Sequence, residues 1–414
     1  MGKNKIKHYD LLVIGGGAAG MVAAITAARS NKKVCIIEKL DKLGKKILAT
    51  GNGKCNFTNE VMSPEFYNTD KAFMQMVLDK FSVEDCLEFF HSIGIYPKNK
   101  NGYYYPNSEQ ASSVVLALLQ ELQRLNVTIC YETKVEDIFV DKDFVSVETN
   151  KGTFQGGNLL IATGLLAAPK LGSDGSLFDI IKSLGHHFEP ILPALCGYFC
   201  KGISFKRISG VRAHGTVSAF INECEVAKDT GEIQFTDYGI SGIPVFQISR
   251  YLSKGIYQKD KVEVKINLLP DFDSVSLFNE LNYRKQSFSE APVTDLLNGL
   301  LNQKLAYMIL EKAHIDETLF ISSLTKKDLE SVAYCIQNLK IKITNYRDYE
   351  FAQVCIGGIP ISDINPDTLE SKLVEHIYFA GEVLDVDGIC GGYNLHFAWA
   401  SGYIAALSAL ERSL

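Results

Sequence analysis

A run of glycines near the N-terminus has the spacing that lets a backbone hold a pyrophosphate. The sequence GGGAAG (15–20) follows the apolar run YDLLVI and precedes an alanine-rich stretch. In this G-x-G-x-x-G pattern, Gly15 permits the tight turn, Gly17 admits the pyrophosphate, and Gly20 lets the helix pack on the strand. A second apolar strand ends in Glu38, where a carboxylate accepts hydrogen bonds from an adenosine ribose. The pattern therefore predicts a dinucleotide-binding unit.

The C-terminal part of the chain indicates which dinucleotide is bound. An apolar strand, HIYFAGEV (376–383), ends in Gly381 and Glu382 and is followed by a glycine-rich turn and a helical segment. An acid at this strand end is expected to meet the ribityl chain of FAD. A helix N-terminus directed at the flavin ring stabilises the negative charge that reduction places there. NAD and FAD share the same ADP half, so it is this segment that favours FAD.

The segment GKKILATGNGKCNFTN (44–59) lies between these two motifs. It does not match the P-loop G-x-x-x-x-G-K-[ST], because Leu48 stands where the first glycine is needed and Cys55 follows Lys54. Cys55 also lacks a C-x-x-C partner, which argues against a disulfide relay. We expect the loop to run along the ribityl and isoalloxazine portion of the cofactor. The side chains expected to face this portion are Thr50, Asn52 and Asn56.

Two residue types in this loop allow more than one interpretation. Lys45 and Lys46 suit either solvated surface positions or a contact with the pyrophosphate. For Cys55, packing beside the flavin is favoured over redox chemistry.

Composition excludes several classes of protein. The chain has 414 residues, of which 46% are hydrophobic and 22% charged, and its net charge is -6. Nucleic acids and anionic membranes call for a basic field, so neither is an expected partner. The ten cysteines show no zinc-type spacing, and no metal site is predicted. Because no export signal is recognisable at the N-terminus, we expect a cytoplasmic protein. The oligomeric state is left open.

Several motifs together resemble one bacterial family. They are the 44–59 loop, ATG (162–164) with PKLGSDG after it, LGHHFEPILPALCG, GEIQFTDYGISGIPVFQIS, INLLPD and the C-terminal GGIPISDINPDTLESKLVEHIYFAGEVLDVDGICGGYNLHFAWASGY. The chain resembles the bacterial FAD-dependent oxidoreductases of the aminoacetone-oxidase type, which include flavoprotein reductases of bile-acid and steroid enones. The resemblance spans nearly the whole chain and implies an NAD(P)/FAD-dependent oxidoreductase.

Three positions depart from the pattern of that family. The family usually has arginine where this chain has Lys54, glycine where it has Leu165, and glutamine where it has His396. Lysine offers a point charge rather than a planar fork, so a bidentate contact is not expected at position 54.

The motifs and the resemblance together define a set of predicted cofactor-binding residues. They are Gly15, Gly17, Ala18, Ala19, Gly20, Glu38, Lys39, Gly44, Lys45, Lys46, Thr50, Gly51, Asn52, Gly53, Cys55, Asn56, Val135, Ala162, Thr163, Gly164, Gly381, Glu382, Asp387, Gly391, Gly392, Tyr393 and Asn394.

The distribution of helix-like and strand-like segments predicts an α/β fold. We expect a Rossmann-like FAD-binding domain of the glutathione-reductase-like type, formed by residues 1–190 and 350–414. A β-rich substrate domain is predicted over 191–273 and 334–349, with a helical subdomain over 274–333. Ligand sites favour domain interfaces, so the insertion is expected to shape the substrate pocket.

The chain contains no second G-x-G-x-x-G unit between a strand and a helix, which makes a dedicated NAD(P)H domain unexpected. Either NADH or NADPH then acts as a transient hydride donor at the flavin, or the substrate itself reduces the flavin. The leading hypothesis is that FAD, once reduced, reduces a C=C bond conjugated to a carbonyl in a small hydrophobic substrate. The alternatives are an FAD-dependent oxidase of small amines or aminoketones, such as aminoacetone, and a redox-sensing flavoprotein.

Enone reduction needs a donor that holds the carbonyl oxygen and an acid that protonates the α-carbon. By residue type, the candidate catalytic residues are Tyr393, His396 and Tyr238. A structural role is the competing interpretation for each of them.

Overall fold

A computed structural model describes residues 7–411 of the chain. The strands are β1 (Lys7–Ile14), β2 (Val34–Ile37), β3 (Thr58–Asn59), β4 (Tyr67–Asn68), β5 (Pro97–Lys100), β6 (Tyr103–Pro106), β7 (Thr128–Cys130), β8 (Val135–Val140), β9 (Val145–Thr149), β10 (Gly152–Ile161), β11 (Glu189–Ala194), β12 (Tyr198–Lys201), β13 (Arg212–Ile221), β14 (Cys224–Phe235), β15 (Gly239–Gly242), β16 (Val262–Asn267), β17 (Leu339–Tyr346), β18 (Val354–Gly358), β19 (Ile377–Phe379) and β20 (Asp387–Gly388). The helices are α1 (Ala18–Arg29), α2 (Lys45–Ala49), α3 (Lys71–Lys80), α4 (Val83–Ser92), α5 (Ala111–Arg124), α6 (Phe178–Ser183), α7 (Phe205–Ile208), α8 (Ile243–Tyr257), α9 (Ser274–Ser287), α10 (Gln303–Lys312), α11 (Lys326–Gln337) and α12 (Tyr393–Glu411).

The chain forms two compact units. The first consists of Met1–Ile191 and Gln353–Leu414, and the second of Leu192–Ala352. The finer division of the second unit into a β-rich part and a helical part stays a prediction.

A seven-stranded sheet organises the first unit. Its strand order is β7-β2-β1-β10-β9-β8, and β19 pairs with β10 as well. The pairs β2–β7, β1–β2, β1–β10 and β10–β19 are parallel, whereas β8, β9 and the first half of β10 form an antiparallel meander. The parallel strands end at the same edge, where their loops can converge on one ligand. The α/β, Rossmann-like fold class predicted from the sequence is confirmed.

Helices α1 and α12 pack closely in the core of this unit. A Cβ on Gly402 would lie 2.3 Å from the backbone oxygen of Ala19, so only glycine permits this approach. Trp399 is fully buried and donates its indole N–H to the oxygen of Phe57 at 3.0 Å. The C-terminal helix is thereby fixed beside the helix that follows the glycine turn.

The second unit contains a closed barrel in the order β12-β15-β14-β13-β16-β17. Every second residue is buried along β16 and along the 339–343 part of β17, as expected for strands with one face inside a barrel. Helix α8 lies in a region for which the sequence predicted mainly strands. Pro244 in its first turn and its one-sided apolar pattern favour the helix, whereas its flanking strand-like segments had suggested β structure.

None of the helices within residues 7–411 has the length and apolarity needed to cross a membrane. Over the same residues, no cluster of three or more His, Cys, Asp or Glu side chains is arranged to hold a metal ion.

Candidate functional site

The glycine turn after β1 has one side filled by protein and one side open. Gly15 has φ +100°, and a Cβ there would lie 2.5 Å from the oxygen of Ala162. A Cβ on Gly20 would lie 1.9 Å from the oxygen of Gly15. A Cβ on Gly17, by contrast, would meet nothing within 4 Å. The space in front of Gly17 at the start of α1, where Ala18 and Ala19 form the first turn, therefore suits a pyrophosphate group.

Glu38 is held by the backbone around this turn. The residue is 8% exposed, its Oε2 accepts the N–H of Gly16 at 2.8 Å, and its Oε1 accepts the N–H of Leu40 at 2.8 Å. Each carboxylate oxygen keeps a further lone pair that can accept a ribose hydroxyl. The N–H of Thr133 donates to the backbone oxygen of Glu38 at 2.9 Å, and Val135 begins β8 two residues later as a buried side chain. These contacts place the 133–135 segment beside the predicted ribose site.

The turn after β10 lies against the glycine turn. The N–H of Ala162 donates to the oxygen of Ile14 at 2.9 Å, and the Cα of Thr163 lies near Gly15. Gly164 has φ +67°, and a Cβ there would come 2.8 Å from Ser173 Oγ and 3.5 Å from Glu382 Oε2. The ATG motif and the C-terminal acid are therefore neighbours.

The 44–59 loop is tied to the same turn. The N–H of Gly44 donates to the oxygen of Gly16 at 2.9 Å. Lys46 Nζ lies 2.5 Å from Glu382 Oε2, and Glu382 Oε1 accepts the N–H of Cys355 at 2.8 Å. The Lys46 ammonium thus joins two motifs that lie 336 residues apart.

The other two predicted cofactor lysines are engaged elsewhere in this structure. Lys45 pairs with Asp41 at 2.6 Å, and Lys39 pairs with Asp174. A pyrophosphate contact by Lys45 and a cofactor contact by Lys39 stay predictions.

The centre of the loop reverses direction through left-handed backbone. Gly51, Asn52, Gly53 and Cys55 have φ between 54° and 81°. The Cys55 side chain is completely buried, and burial raises the pKa of its thiol to about 12. At neutral pH the residue is a protonated thiol rather than a thiolate, which fits packing rather than nucleophilic chemistry. Thr50 Oγ1 donates to the oxygen of Ile47 at 2.6 Å.

Asn56 carries a buried acceptor that no described residue satisfies. Its side chain is 9% exposed, and Oδ1 has no hydrogen-bond partner within residues 7–411. Gly392 lies next to this oxygen, since a Cβ on Gly392 would be 3.0 Å from it. An unpaired buried amide oxygen is costly unless a ligand supplies a donor. A flavin ring N–H is such a donor, so the residue fits FAD.

The C-terminal segment is shaped by its own hydrogen bonds. Gly381 N–H donates to Ser401 Oγ at 2.9 Å, and Asp387 Oδ2 accepts from Asn68 Nδ2 at 2.9 Å. Asn394 closes the turn around Gly388, with one bond of 2.8 Å in each direction. The positive φ angles of Gly391 and Gly392 then lead the chain into α12.

The three predicted catalytic residues lie in different surroundings. Tyr393 donates its hydroxyl to the oxygen of Val61 at 3.1 Å, and burial raises the pKa of this phenol to about 12. His396 is fully buried between Thr58 Oγ1 and the oxygen of Phe81, and burial lowers the pKa of its imidazole to about 4. Tyr238 belongs to the second unit. The polar atoms of Tyr393 and His396 are thus engaged by protein groups, and a catalytic role for either side chain stays a prediction.

The sequence interpretation missed a group of side chains beside the loop. Lys54 Nζ lies 3.1 Å from Glu109 Oε2, so the charge at position 54 is directed at a carboxylate. Tyr103 and Tyr105 approach Gly391 and Gly51, respectively. No local sequence pattern links Glu109 to position 54.

Comparison with known proteins agrees with this geometry. The model of the family described as HI0933-like protein Rossmann domain matches residues 9–408. A 3-dehydro-bile acid delta(4,6)-reductase of Clostridium scindens is 40% identical over 97% of this chain and 98% of its own. A ribosomal RNA dihydrouridine synthase of Haemophilus influenzae is 30% identical over 97% of this chain and 98% of its own.

A solved structure shares the fold at low identity. The 3-ketosteroid delta1-dehydrogenase from Sterolibacterium denitrificans superposes with a TM-score of 0.51 at 12% identity, covering 98% of this chain and 100% of that one. The geometry of the glycine turn, Glu38 and Asn56 suits FAD. The match to the family leads to the same conclusion. The chain therefore belongs to the HI0933-like Rossmann family of FAD-binding flavoenzymes and is an oxidoreductase.

Proposed function

We propose that this oxidoreductase reduces a carbon–carbon double bond conjugated to a carbonyl in a steroid- or bile-acid-like substrate, with NADH or NADPH as the hydride donor. The observation that carries the proposal is the 40% identity, over 97% of the chain, to the bile acid reductase of Clostridium scindens. A cytoplasmic location is part of the proposal, since the nicotinamide pool is found there.

FAD, when bound, supplies hydride transfer between the nicotinamide and the double bond. The Gly17 turn would admit its pyrophosphate, Glu38 would accept hydrogen bonds from its ribose hydroxyls, and Asn56 Oδ1 would accept a hydrogen bond from a ring N–H. The N-terminus of α12 offers backbone N–H groups that stabilise negative charge. Each role is based on a feature described above. These features are the open space at Gly17, the acceptor oxygens of Glu38 and Asn56, and the donor N–H groups of α12.

Of the three predicted catalytic side chains, we propose Tyr238 as the proton donor, on the grounds of its hydrogen bonding. Arg347 Nη1 donates to the Tyr238 hydroxyl at 3.2 Å, and the Arg347 guanidinium lies 4.5 Å from the centre of the ring. Because the hydroxyl accepts this hydrogen bond, its own proton is available for donation to a substrate. Tyr393 already donates its proton to Val61, and His396 is neutral at physiological pH.

The test is an anaerobic titration of the flavin-loaded protein, followed by its absorption spectrum. We expect NADH or NADPH to bleach the flavin and a steroid enone to restore it, with deuterium from labelled nicotinamide arriving at the β-carbon. Tyr238→Phe should slow the step with the enone and leave reduction by nicotinamide unchanged. If the flavin stays oxidised with both nicotinamides but is bleached by aminoacetone, the proposal is wrong. The amine oxidase alternative would then be favoured. Reversible reduction without turnover of any acceptor would favour the redox-sensing alternative.

A second candidate substrate is a uridine in ribosomal RNA. It is favoured by the 30% identity, over 97% of the chain, to the Haemophilus influenzae dihydrouridine synthase. Dihydrouridine formation saturates the C5=C6 bond of uracil, which is conjugated to the C4 carbonyl. The two relatives are therefore named for the same kind of reduction on different substrates, so the reaction class is better supported than the substrate.

A further inference from the structure

Three lysines converge on one carboxylate beside the candidate flavin site. Lys54, Lys98 and Lys100 place their Nζ atoms 3.1, 3.0 and 2.5 Å from the carboxylate oxygens of Glu109. The lysine side chains are 40–50% exposed, whereas the Glu109 side chain is 25% exposed. Three positive charges meet one negative charge, and the cluster keeps a net positive charge that faces solvent.

Glu109 is fixed as an anion in this cluster. The three ammonium groups lower the pKa of its carboxyl to about 2, with Lys100 as the largest cause. The backbone of Glu109 has φ +52°, a left-handed conformation that residues other than glycine rarely adopt. The carboxylate is therefore present as a counter-charge at every physiological pH.

Two tyrosines lie on the same sheet face as two lysines of the cluster. In the antiparallel pair β5–β6, Lys98 lies opposite Tyr105 and Lys100 lies opposite Tyr103. Directly opposed residues project from the same face of a sheet, and so do residues two apart on one strand. Lys98, Lys100, Tyr103 and Tyr105 therefore share one face, which we name the lysine–tyrosine face.

The lysine–tyrosine face borders the candidate flavin site. Tyr105 Cε1 lies 3.6 Å from where a Cβ on Gly51 would be, and Tyr103 Cε1 lies 3.0 Å from the equivalent point on Gly391. Gly51 and Gly391 belong to the two glycine-rich segments that are predicted to border the flavin. Aromatic rings next to exposed ammonium groups suit a ligand with a flat apolar body and an anionic end.

We propose that the lysine–tyrosine face binds the anionic end of the substrate, and that this substrate is a polycyclic enone bearing a carboxylate. The inference rests on the proposed function and narrows its substrate class. The 2′-phosphate of NADPH offers similar chemistry, so the experiment separates the two sources of negative charge.

The experiment measures equilibrium binding to the flavin-loaded protein as well as turnover. Two steroid enones with the same ring system are compared, one with a side-chain carboxylate and one with its methyl ester. The variants are Lys98→Gln/Lys100→Gln, Glu109→Gln, and the charge-matched control Lys326→Gln/Lys327→Gln at exposed positions of α11.

The expected effects have opposite signs in the two test variants. Exposed ion pairs contribute modestly, so losing both lysines should raise the Kd of the carboxylate about 10-fold and change that of the ester less than about 2-fold. Glu109→Gln removes the internal counter-charge and should lower the Kd of the carboxylate about 3-fold. Added salt should weaken binding of the carboxylate alone. The Lys326→Gln/Lys327→Gln control should match the wild type.

Three results would overturn the inference. In the first, the variants shift the Kd of carboxylate and ester equally. In the second, the variants weaken NADPH relative to NADH and leave both steroids unchanged, which would assign the lysines to the 2′-phosphate. In the third, Glu109→Gln weakens the carboxylate as the lysine variant does, which would indicate a purely structural cluster. Failure of the proposed function is recognised separately, as absence of turnover of both enones by a protein that still binds the carboxylate through the lysines.

Discussion

His396 lies near the start of α12 with no exposed surface and two hydrogen-bond partners. Its Nδ1 lies 2.9 Å from Thr58 Oγ1, and its Nε2 lies 3.2 Å from the oxygen of Phe81. With one ring nitrogen as acceptor and the other as donor, the neutral ring satisfies both partners. Both ring nitrogens are therefore engaged by protein groups in this structure.

This environment makes His396 a source of acid sensitivity. Burial lowers the pKa of the imidazole to about 4 in the folded protein, whereas an unfolded chain has about 6.5. Between these values the unfolded state binds more protons, so stability is present at pH 7 and is lost as pH falls. Protonation of His396 on unfolding should therefore remove about 2 kcal/mol from the free energy of unfolding between pH 7 and pH 5.

Substitution by glutamine tests this prediction. Glutamine offers one acceptor and one donor, as the neutral imidazole does, but it does not titrate. Urea unfolding of His396→Gln at pH 7 and pH 5 should show a pH-dependent loss about 2 kcal/mol smaller than that of the wild type. The exposed His91 provides the control, and His91→Gln should behave as the wild type does. Equal pH dependence in all three proteins would contradict the buried neutral imidazole.

Residue types alone gave useful candidates but not their roles. Tyr393, His396 and Tyr238 were chosen because a tyrosine or a histidine can move a proton. The hydrogen bond from Tyr393 to Val61 spans 332 residues, and no local pattern encodes it. The link between Lys54 and Glu109 likewise depends on how β5, β6 and the 44–59 loop assemble.

The glycine turn at the start of α1 is an element whose members have separable roles. Gly17 faces open space and has φ -83°, so a larger side chain fits the backbone but enters the space for the pyrophosphate. Gly20 faces the oxygen of Gly15 at 1.9 Å, so a larger side chain there must displace the backbone. The first substitution should affect the ligand and the second should affect the fold.

We therefore expect Gly17→Val and Gly20→Ala to differ in kind. Gly17→Val should lose bound FAD and leave the unfolding free energy of the cofactor-free protein within about 1 kcal/mol of the wild type. Gly20→Ala should lower that free energy by about 2 kcal/mol or more, because helix and strand must separate. Flavin absorbance after gel filtration and urea unfolding of the cofactor-free proteins measure the two effects. If Gly17→Val retained FAD fully, the prediction that the pyrophosphate binds at this turn would be wrong.

At this scale the sequence was informative wherever a motif is local. The strand, glycine turn, helix and terminal acid lie within 30 residues, and the structure assembles them as the pattern predicts. Helix α8 was missed because its neighbours on both sides are strands of the barrel. The pairing of Lys46 with Glu382 was missed because it joins distant segments.

The charge of the whole molecule bears on the choice between a steroid and a nucleic acid. The net charge is -6, whereas proteins that hold RNA through its phosphates require a positive field. The relative in Haemophilus influenzae is named for ribosomal RNA, so family membership leaves both substrates possible. The exclusion of nucleic acid stays a prediction of the sequence.

We expect this protein to leave ribosomal RNA unmodified and weakly bound. Because a net negative charge opposes the phosphate backbone, the Kd for a ribosomal RNA fragment at 150 mM salt should be weaker than about 10 µM. Fluorescence anisotropy measures this binding, and mass spectrometry of RNA incubated with reduced enzyme measures dihydrouridine. The carboxylate-bearing steroid enone serves as the positive control for turnover in the same preparation. Dihydrouridine formation, together with binding that weakens steeply with salt, would assign the proposed reduction to RNA and overturn the steroid proposal.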